Sequence, residues 1–520
     1  MLWVALHLPQ LSLESCAAAR DASQAAQPLA LLHEHRVQQA DALALARGVR
    51  PGMKRATALA LAPDLLLAQA DVRRDTQALQ AVAFVALGFS PSVTWVPPGA
   101  GAASPSPEQV GVRLEVQSCL RYFGGLPRLL ARLREALAPL GHRVQVATAP
   151  TALGAALLAA WRDGLAEGPH STGREALQTL LDALPLSLLA AGRHHAAALL
   201  GMGLHTWGDL QGLPRDGLAR RFGPELLDEI DRARGHAPEA HAWLSLPLRF
   251  ASRIELMCRA EHSEQVLAGA QVLLARLVAW AAARQVRIGR FSLVMHHEPH
   301  RHSRDTPIPE RSTLDISLAE PAADAAHLHS LLAERLGRMP LVAPALDLSL
   351  LCDQVVAASA PNGELFASQR SEREGLARLV ERLQARLGVE QVQRLAPVAD
   401  RRPERGTRWQ RADPARLGAA LSDDTHDAQA AQALAAQPLW LLPQPRALHE
   451  RDHQLWLDGQ PLQLLAGPER LETGWWDAPE PVLRDYFIAQ AGSGALVWVY
   501  RLRLPPAAGQ PGWFLQGLFG

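Results

Sequence analysis

Leu114-Glu115-Val116-Gln117-Ser118-Cys119-Leu120-Arg121-Tyr122-Phe123-Gly124-Gly125 runs a strand into a turn, and the segments on either side of it decide the fold of the first third of the chain. Upstream, Val110 to Val116 reads as a strand, and Ser90 to Pro107 before it, rich in Pro, Gly, Ala and Ser, predicts a loop. Downstream, helical periodicity resumes over Leu126 to Leu140, a strand follows at 143–149, and a helix at 151–166. Farther out, residues 2–8 alternate as a first strand, and an Ala/Leu-rich stretch at 40–62 predicts a helix. Strands alternating with helices in this way predict an α/β block over roughly the first 170 residues.

The texture then changes. Residues 175–236 are helical in short pieces punctuated by Gly201, Gly203, Gly208 and Pro214, as in a small helical domain. From 245 to 356, helical stretches at 262–284 and 321–337 sit among strand-like runs at 249–257, 286–296, 312–318 and 346–355, which predicts a compact α+β domain. A charged helix at 369–387 and a polar stretch at 399–435, read as linker, lead to a β-rich segment at 438–520. That last segment holds Trp440, Trp456, Trp475, Trp476, Tyr486, Phe487, Trp498, Tyr500, Trp513, Phe514 and Phe519. A small aromatic core is expected there ahead of an interface, because buried rings dominate small β cores.

A chain of 520 residues exceeds a single core and predicts three to five domains. Formal net charge is zero, so a polyanion has to be held by local patches. Lys54 is the only lysine, so basicity is carried by arginine. Guanidiniums suit bidentate phosphate contacts, although a biased coding composition produces the same excess. Cys16, Cys119, Cys258 and Cys352 lie far apart, which argues against structural zinc and disulfides and for a reducing, cytoplasmic location. No stretch approaches the roughly 20 apolar residues of a membrane span, and the N-terminus has no basic region of an export signal.

Three segments, in order and in spacing, resemble the Y-family translesion DNA polymerases. The opening strand, Trp3 to Glu14, takes the frame in which that family places an Asp-x-Asp pair, aromatics and a Glu; ARGVRPGM at 46–53 resembles its fingers signature; LEVQSCLRYFGG resembles the strand and turn that follow its catalytic Asp-Glu pair. A weaker match, Leu199 to Leu210, falls where the family's thumb has helix-hairpin-helix elements. The resemblance implies an α/β and α+β multidomain fold: palm-like 1–20 and 70–170, fingers-like 21–69, thumb-like 171–240, and little-finger-like 245–357. A clamp-motif and linker region at 358–435 and a C-terminal β-rich, partner-binding segment at 436–520 would complete the chain.

Nucleotidyl transfer in this family needs two magnesium ions held by carboxylates. In the family frame, Ala5 and His7 occupy the first pair of ligand positions, and Val96 and Pro97 occupy the second. The triphosphate ligands become Ala42 and Leu45, and the aromatic sugar gate becomes Gln10. Within the family this pattern resembles the ImuB-type proteins, which are catalytically silent, and GPERLETGWWD at 467–477, RDYF at 484–487 and WFLQGLFG at 513–520 resemble their tail. That resemblance implies a protein with no cofactor of its own. Its partners would be DNA, the β sliding clamp, the RecA-like accessory protein ImuA and an error-prone C-family polymerase. The competing reading is a working polymerase whose metal ligands have moved to Glu14, Glu108 and Glu115.

Binding residues are expected in three places. Between Arg249 and Arg311 ten arginines face six acids, which makes Arg249, Arg253, Arg287 and Arg290 candidates for phosphate contacts, alongside the hairpin glycines Gly201 and Gly203. Asn362-Gly363-Glu364-Leu365-Phe366 resembles a clamp-binding pentad with its Leu-Phe anchor intact and its first two positions altered. Gln437-Pro438-Leu439-Trp440 is a rival. The histidines 296, 297, 300 and 302 lack the cysteines or paired carboxylates of a closed metal site, so a metal is not expected there.

Overall fold

The computed structural model describes all residues except 22, 100–109, 299–308, 359–368, 399, 415–436, 477–480, 505–510 and 520. It divides into two compact units, Met1–Leu365 and Phe366–Gly520.

The first unit opens on β1, Trp3–His7. This strand lies inside an antiparallel sheet of order β5-β6-β1-β7, in which β5 is Val93–Val96, β6 is Gly111–Glu115 and β7 is Gln145–Ala149. All five residues of β1 are buried, as expected of a near-continuous apolar strand covered on both faces. Trp3 and Ala5 pack with Ala147 and Ala149 against the helix Ala152–Trp161. That helix starts at Thr151, whose hydroxyl accepts from the Gly154 amide. The helix Val72–Leu87, which periodicity alone does not single out, packs on β5 and β6.

The predicted helix at 40–62 is broken into two. Strand β3, Arg36–Ala40, gives way to helix Ala42–Ala46, a turn, and helix Arg55–Leu61. Gly48 and Gly52 both sit at φ +89°, a conformation that ends a helix and suits glycine. The Ala/Leu composition carries a helical signal on both sides of a turn that it cannot locate. Strand β3 pairs with β2, Leu29–His33, which runs parallel to β4, Leu66–Gln69.

Short helices from Arg174 to Arg234 follow, and then a four-stranded antiparallel sheet of order β10-β9-β11-β8. Its strands, β8 (Phe250–Ala260), β9 (Val286–His297), β10 (Arg311–Ala322) and β11 (Ala345–Ala357), fall almost where the alternation places them. Helices Ser263–Arg284 and Ala325–Arg338 cover one face. Contrary to the expectation that no stretch approaches a membrane span, the first has 22 residues and is apolar enough to be one by length and composition, but 56% of its apolar window is buried inside the fold. It packs between this sheet and helix Val72–Leu87 and is a core helix, with Trp280 fully buried and its indole N–H donating to the Pro247 carbonyl at 3.1 Å.

The second unit contains helix Gln369–Leu387, a strand pair β12 (Gln393–Pro397) and β13 (Thr407–Arg411), and a closed barrel of six antiparallel strands. The barrel strands are β14 (Trp440–Arg451), β15 (Gln454–Leu457), β16 (Gln460–Thr473), β17 (Val482–Gln490), β18 (Leu496–Leu502) and β19 (Trp513–Leu518). The linker expected at 399–435 is therefore ordered at its start, where β13 pairs with β12. Alternation along β18 feeds two cores: Val497 and Val499 join Leu448, Leu455, Leu462 and Leu515, whereas Trp498 and Tyr500 join Tyr486. Tyr486 stacks on Trp498 at 4.2 Å and Tyr500 on Phe514 at 5.1 Å, so most of the aromatic load is core. Trp440, Trp475 and Trp476 are not: 69%, 74% and 56% of their surfaces face solvent.

Candidate active site and nucleic-acid interface

The end of β1 is where the sheet could hold metal ligands, and His7 is its last residue. Directly opposite His7 lie Gly111 on β6 and Gln145 on β7; Gly111 in turn faces Val96 on β5. The row across the sheet reads Val96, Gly111, His7, Gln145. Val96 is thus two strands from His7, about 10 Å away at ordinary strand spacing, and Pro97 lies just past the end of β5. The family frame places the second ligand pair on β5; the strand order puts β6 beside β1, so Gly111, and not Val96, stands next to His7. Val110 offers its carbonyl to the His7 ring at 3.3 Å. A Cβ built on Gly111 would come within 2.5 Å of the Leu6 carbonyl oxygen, so β6 has no room for a carboxylate side chain there without a backbone shift. Ala5, 1% exposed in mid-strand, faces the core.

The acids do not gather at this row. Glu115 stands opposite Trp3, at the far end of β1, where its carboxylate accepts from the amides of Leu2 at 3.2 Å and Gln117 at 3.1 Å. Four residues of strand separate it from the His7 row, about 13 Å. Glu14 pairs with His142 at 3.4 Å and accepts from the Arg143 amide at 3.0 Å. Glu108 lies outside the described residues. Among the described residues no group of three His, Cys, Asp or Glu could hold a metal ion. On the nucleotide side, Ala42 and Leu45 are exposed on helix Ala42–Ala46, and Gln10 sits in the turn after β1.

Behind Ala5, the site is built for stability. Its β6 neighbour Arg113 is half-buried; desolvation depresses its pKa, and Glu239 is the acid that most opposes this. Burial pushes the Glu239 carboxyl up, while Arg113 and two amides at the start of helix Ala152–Trp161 hold it down. Those amides, of Ala152 and Leu153, donate to Glu239 at 3.0 Å each. Glu239→Gln is expected to cost about 1–3 kcal/mol of stability in urea unfolding, because the Arg113 guanidinium loses its counter-charge and the helix start loses one of two acceptor oxygens. An unchanged midpoint would show that the pair contributes nothing.

The sheet β10-β9-β11-β8 turns one face away from its helices. Across it run Arg311, His296, Asp347 and Glu255 in one row, and Thr313, Val294, Ser349 and Arg253 in the next. Arg253 is paired with Asp347, and Arg290 with Asp315 at 3.0 Å. Arg259 is held by Glu261 and Glu298, at 2.6 and 2.9 Å. Arg276 is buried, bonded to the Ser252 hydroxyl at 3.1 Å, with its pKa pulled down to about 10 by burial. Arg284 donates to the Pro247 carbonyl, while Arg301 and Arg304 lie outside the described residues. The arginine excess counted in sequence is therefore largely spent within the fold; Arg249 is exposed and Arg287 half-buried.

The hairpin glycines close a turn as expected. Gly201 ends helix Ala196–Gly201 and Gly203 has φ +78°. The amides of Met202, Gly203 and Leu204 donate back to the helix, and those of His205 and Thr206 donate to Asp209, both at 2.8 Å. These two bonds hold the Asp209 carboxyl below its ordinary range. The hairpin presents a formed turn whose amides are already used. His296 bonds Ser349 and His297 bonds Ser312, while His300 and His302, like the pentad Asn362–Phe366, lie outside the described residues.

No family model matches the sequence. The chain is 28% identical over 498 residues to Protein ImuB of Caulobacter vibrioides, matched in two strains, with 91% of this chain and all of that protein covered. Among solved structures, "Dbh Ternary Complex (substrates partially disordered)" matches 69% of this chain and all of its own at 15% identity and a TM-score of 0.36. The "Y-family DNA polymerase chimera Dbh-Dpo4(243-245)-Dbh" does so at 14% and 0.36, and DinB from Sulfolobus solfataricus at 13% and 0.34, with the same coverage. The similarity to Protein ImuB runs through that protein's whole length and through 91% of this sequence, so the chain resembles ImuB from end to end.

Proposed function

We propose that this chain is a non-catalytic polymerase homologue that acts as a scaffold in error-prone DNA synthesis past damage. The observation that carries the reading is the row Val96, Gly111, His7, Gln145, which has no carboxylate and, at Gly111, no room for one. Two hard cations need several oxygen ligands each, and an imidazole is a poor substitute for them. As a scaffold it would hold duplex DNA through the sheet face and hairpin of the first unit. Its tail would meet the accessory protein ImuA and the C-family polymerase, as similarity to ImuB suggests.

The alternative, a polymerase with displaced ligands, requires Glu14, Glu108 and Glu115 to converge. Glu14 and Glu115 are each bound to backbone amides in separate places, which speaks against it. A reconstituted assay with the clamp, a C-family polymerase and a damaged template tests the reading. Bypass is expected to depend on this chain being present, with every nucleotide added by the other polymerase. Incorporation by this chain alone would overturn it.

Clamp attachment rests on sequence. Leu365→Ala with Phe366→Ala is expected to weaken retention on immobilised clamp by about ten-fold, since each buried apolar anchor contributes on the order of 1.5–3 kcal/mol and the altered first positions limit the starting affinity. Unchanged retention would take the pentad out of the interaction and leave Gln437 to Trp440 as the segment to substitute next.

A further inference from the structure

In a barrel that buries Tyr486, Trp498 and Tyr500 almost completely, Trp475 and Trp476 stand out with most of their rings in water. They follow Gly474, whose φ of +87° turns the chain at the end of β16. The two indoles are fixed edge to face, 4.8 Å between centroids. Beneath them Arg402 is clamped by Asp400, two contacts of 2.9 and 2.5 Å, and lays its guanidinium 5.7 Å from the Trp476 ring. The platform is therefore anchored, not a loose end.

Cations lie in a row across the neighbouring strands, Arg470 on β16 facing Asp485 on β17, which faces Arg501 on β18. Asp485, 3% exposed, draws in Arg470 at 3.3 Å, Arg501 at 3.5 Å and Arg503 at 3.8 Å. One carboxylate cannot neutralise three guanidiniums. Glu472 takes Arg503, which leaves Arg470 and Arg501 to share Asp485 with one positive charge in surplus; their side chains are 58% and 51% exposed. Arg470 is four strand residues before Gly474, about 13 Å of chain. Exposed rings with guanidiniums a short step away are the two ingredients of single-strand recognition: unpaired bases stack on the rings, and phosphates pair with the cations. A duplex hides its base faces and gains nothing from the rings.

We propose that the barrel carries a site for single-stranded nucleic acid, with Trp475 and Trp476 as the stacking platform and Arg470 and Arg501 as phosphate contacts. It lies in the second unit and is independent of the duplex grip proposed for the first and of whether the chain is catalytic.

The test uses the full chain and fluorescence anisotropy with a labelled oligothymidine about 20 nucleotides long, alongside a blunt duplex of equal length. The double substitution Trp475→Ala, Trp476→Ala is expected to weaken oligothymidine binding about five-fold or more and to leave duplex binding as it was. Trp475→Phe, Trp476→Phe should restore most of the loss, since a phenyl ring still stacks. The proposal is overturned if the wild-type chain does not bind oligothymidine. It is also overturned if the alanine variant binds it as well as the wild type, which would point to a protein partner for the rings, or if single strand and duplex weaken together.

Discussion

Purified protein supplied with a primed template, four deoxynucleotides and Mg2+ or Mn2+ is expected to extend no primer, at a rate at least about 10^4-fold below that of a working enzyme with two metal ions in place. Each ion stabilises charge at the attacking or leaving oxygen by several kcal/mol, and about 1.4 kcal/mol is a factor of ten in rate. His7 brings a nitrogen and Gly111 brings nothing to the end of the sheet where such ions would sit. The geometry also predicts that the site cannot be rebuilt simply. His7→Asp together with Gly111→Glu is expected to stay inactive and to lose stability, because the Cβ at 111 meets the Leu6 carbonyl. Template-directed incorporation that disappears in Glu115→Gln would reverse the argument, since Glu115 would then have to leave its two backbone amides and reach a metal about 13 Å away.

How much of this was readable in the residues depends on the kind of signal. The four strands β8 to β11 and their two helices follow plain alternation and helical periodicity, and Phe250–Ala260 or Val286–His297 could be placed within a few residues. The opening strand and LEVQSC were legible for the same reason. What failed was strand order. The strand Val93–Val96 lies inside Ser90 to Pro107, where Pro, Gly, Ala and Ser predict a loop, and periodicity, which does find Gly111–Glu115, says nothing about which strand lies beside β1; Gly111, not Val96, stands next to His7. Helix Val72–Leu87 escaped because its buried face is built largely from alanines, Ala78, Ala81, Ala83 and Ala86, in a chain where alanine is everywhere. Charge was misjudged in a similar way. Counting arginines cannot show that Arg276 is buried under a sheet or that Arg253 already has Asp347 beside it. Among the aromatics, sequence predicted a core but could not pick out Trp475 and Trp476 as the pair left in solvent.

Removing two carboxylates is expected to tighten duplex binding more than removing two arginines loosens it. On the free face of the sheet β10-β9-β11-β8, Arg253 and Arg290 are tied to Asp347 and Asp315, and Ser292 also donates to Asp315. These pairs are at least partly open to water, and such pairs contribute little to folding. The isosteric double substitution Asp315→Asn, Asp347→Asn should leave stability within about 1 kcal/mol and release two guanidiniums on one face. A phosphate contact displaces counterions, so the logarithm of affinity falls with the logarithm of salt by about 0.9 for each one. Two new contacts should steepen that slope by about 1.8, and near 0.1 M salt this corresponds to about one to two orders of magnitude in affinity. In the unsubstituted protein, Arg253→Gln with Arg290→Gln should change affinity by less than about three-fold, because guanidiniums already held by Asp347 and Asp315 have little phosphate contact to lose. The measurement is duplex anisotropy across a salt series. A slope that does not move when the acids are removed would mean that this face never meets the phosphate backbone, and the duplex grip would have to be sought elsewhere in the first unit.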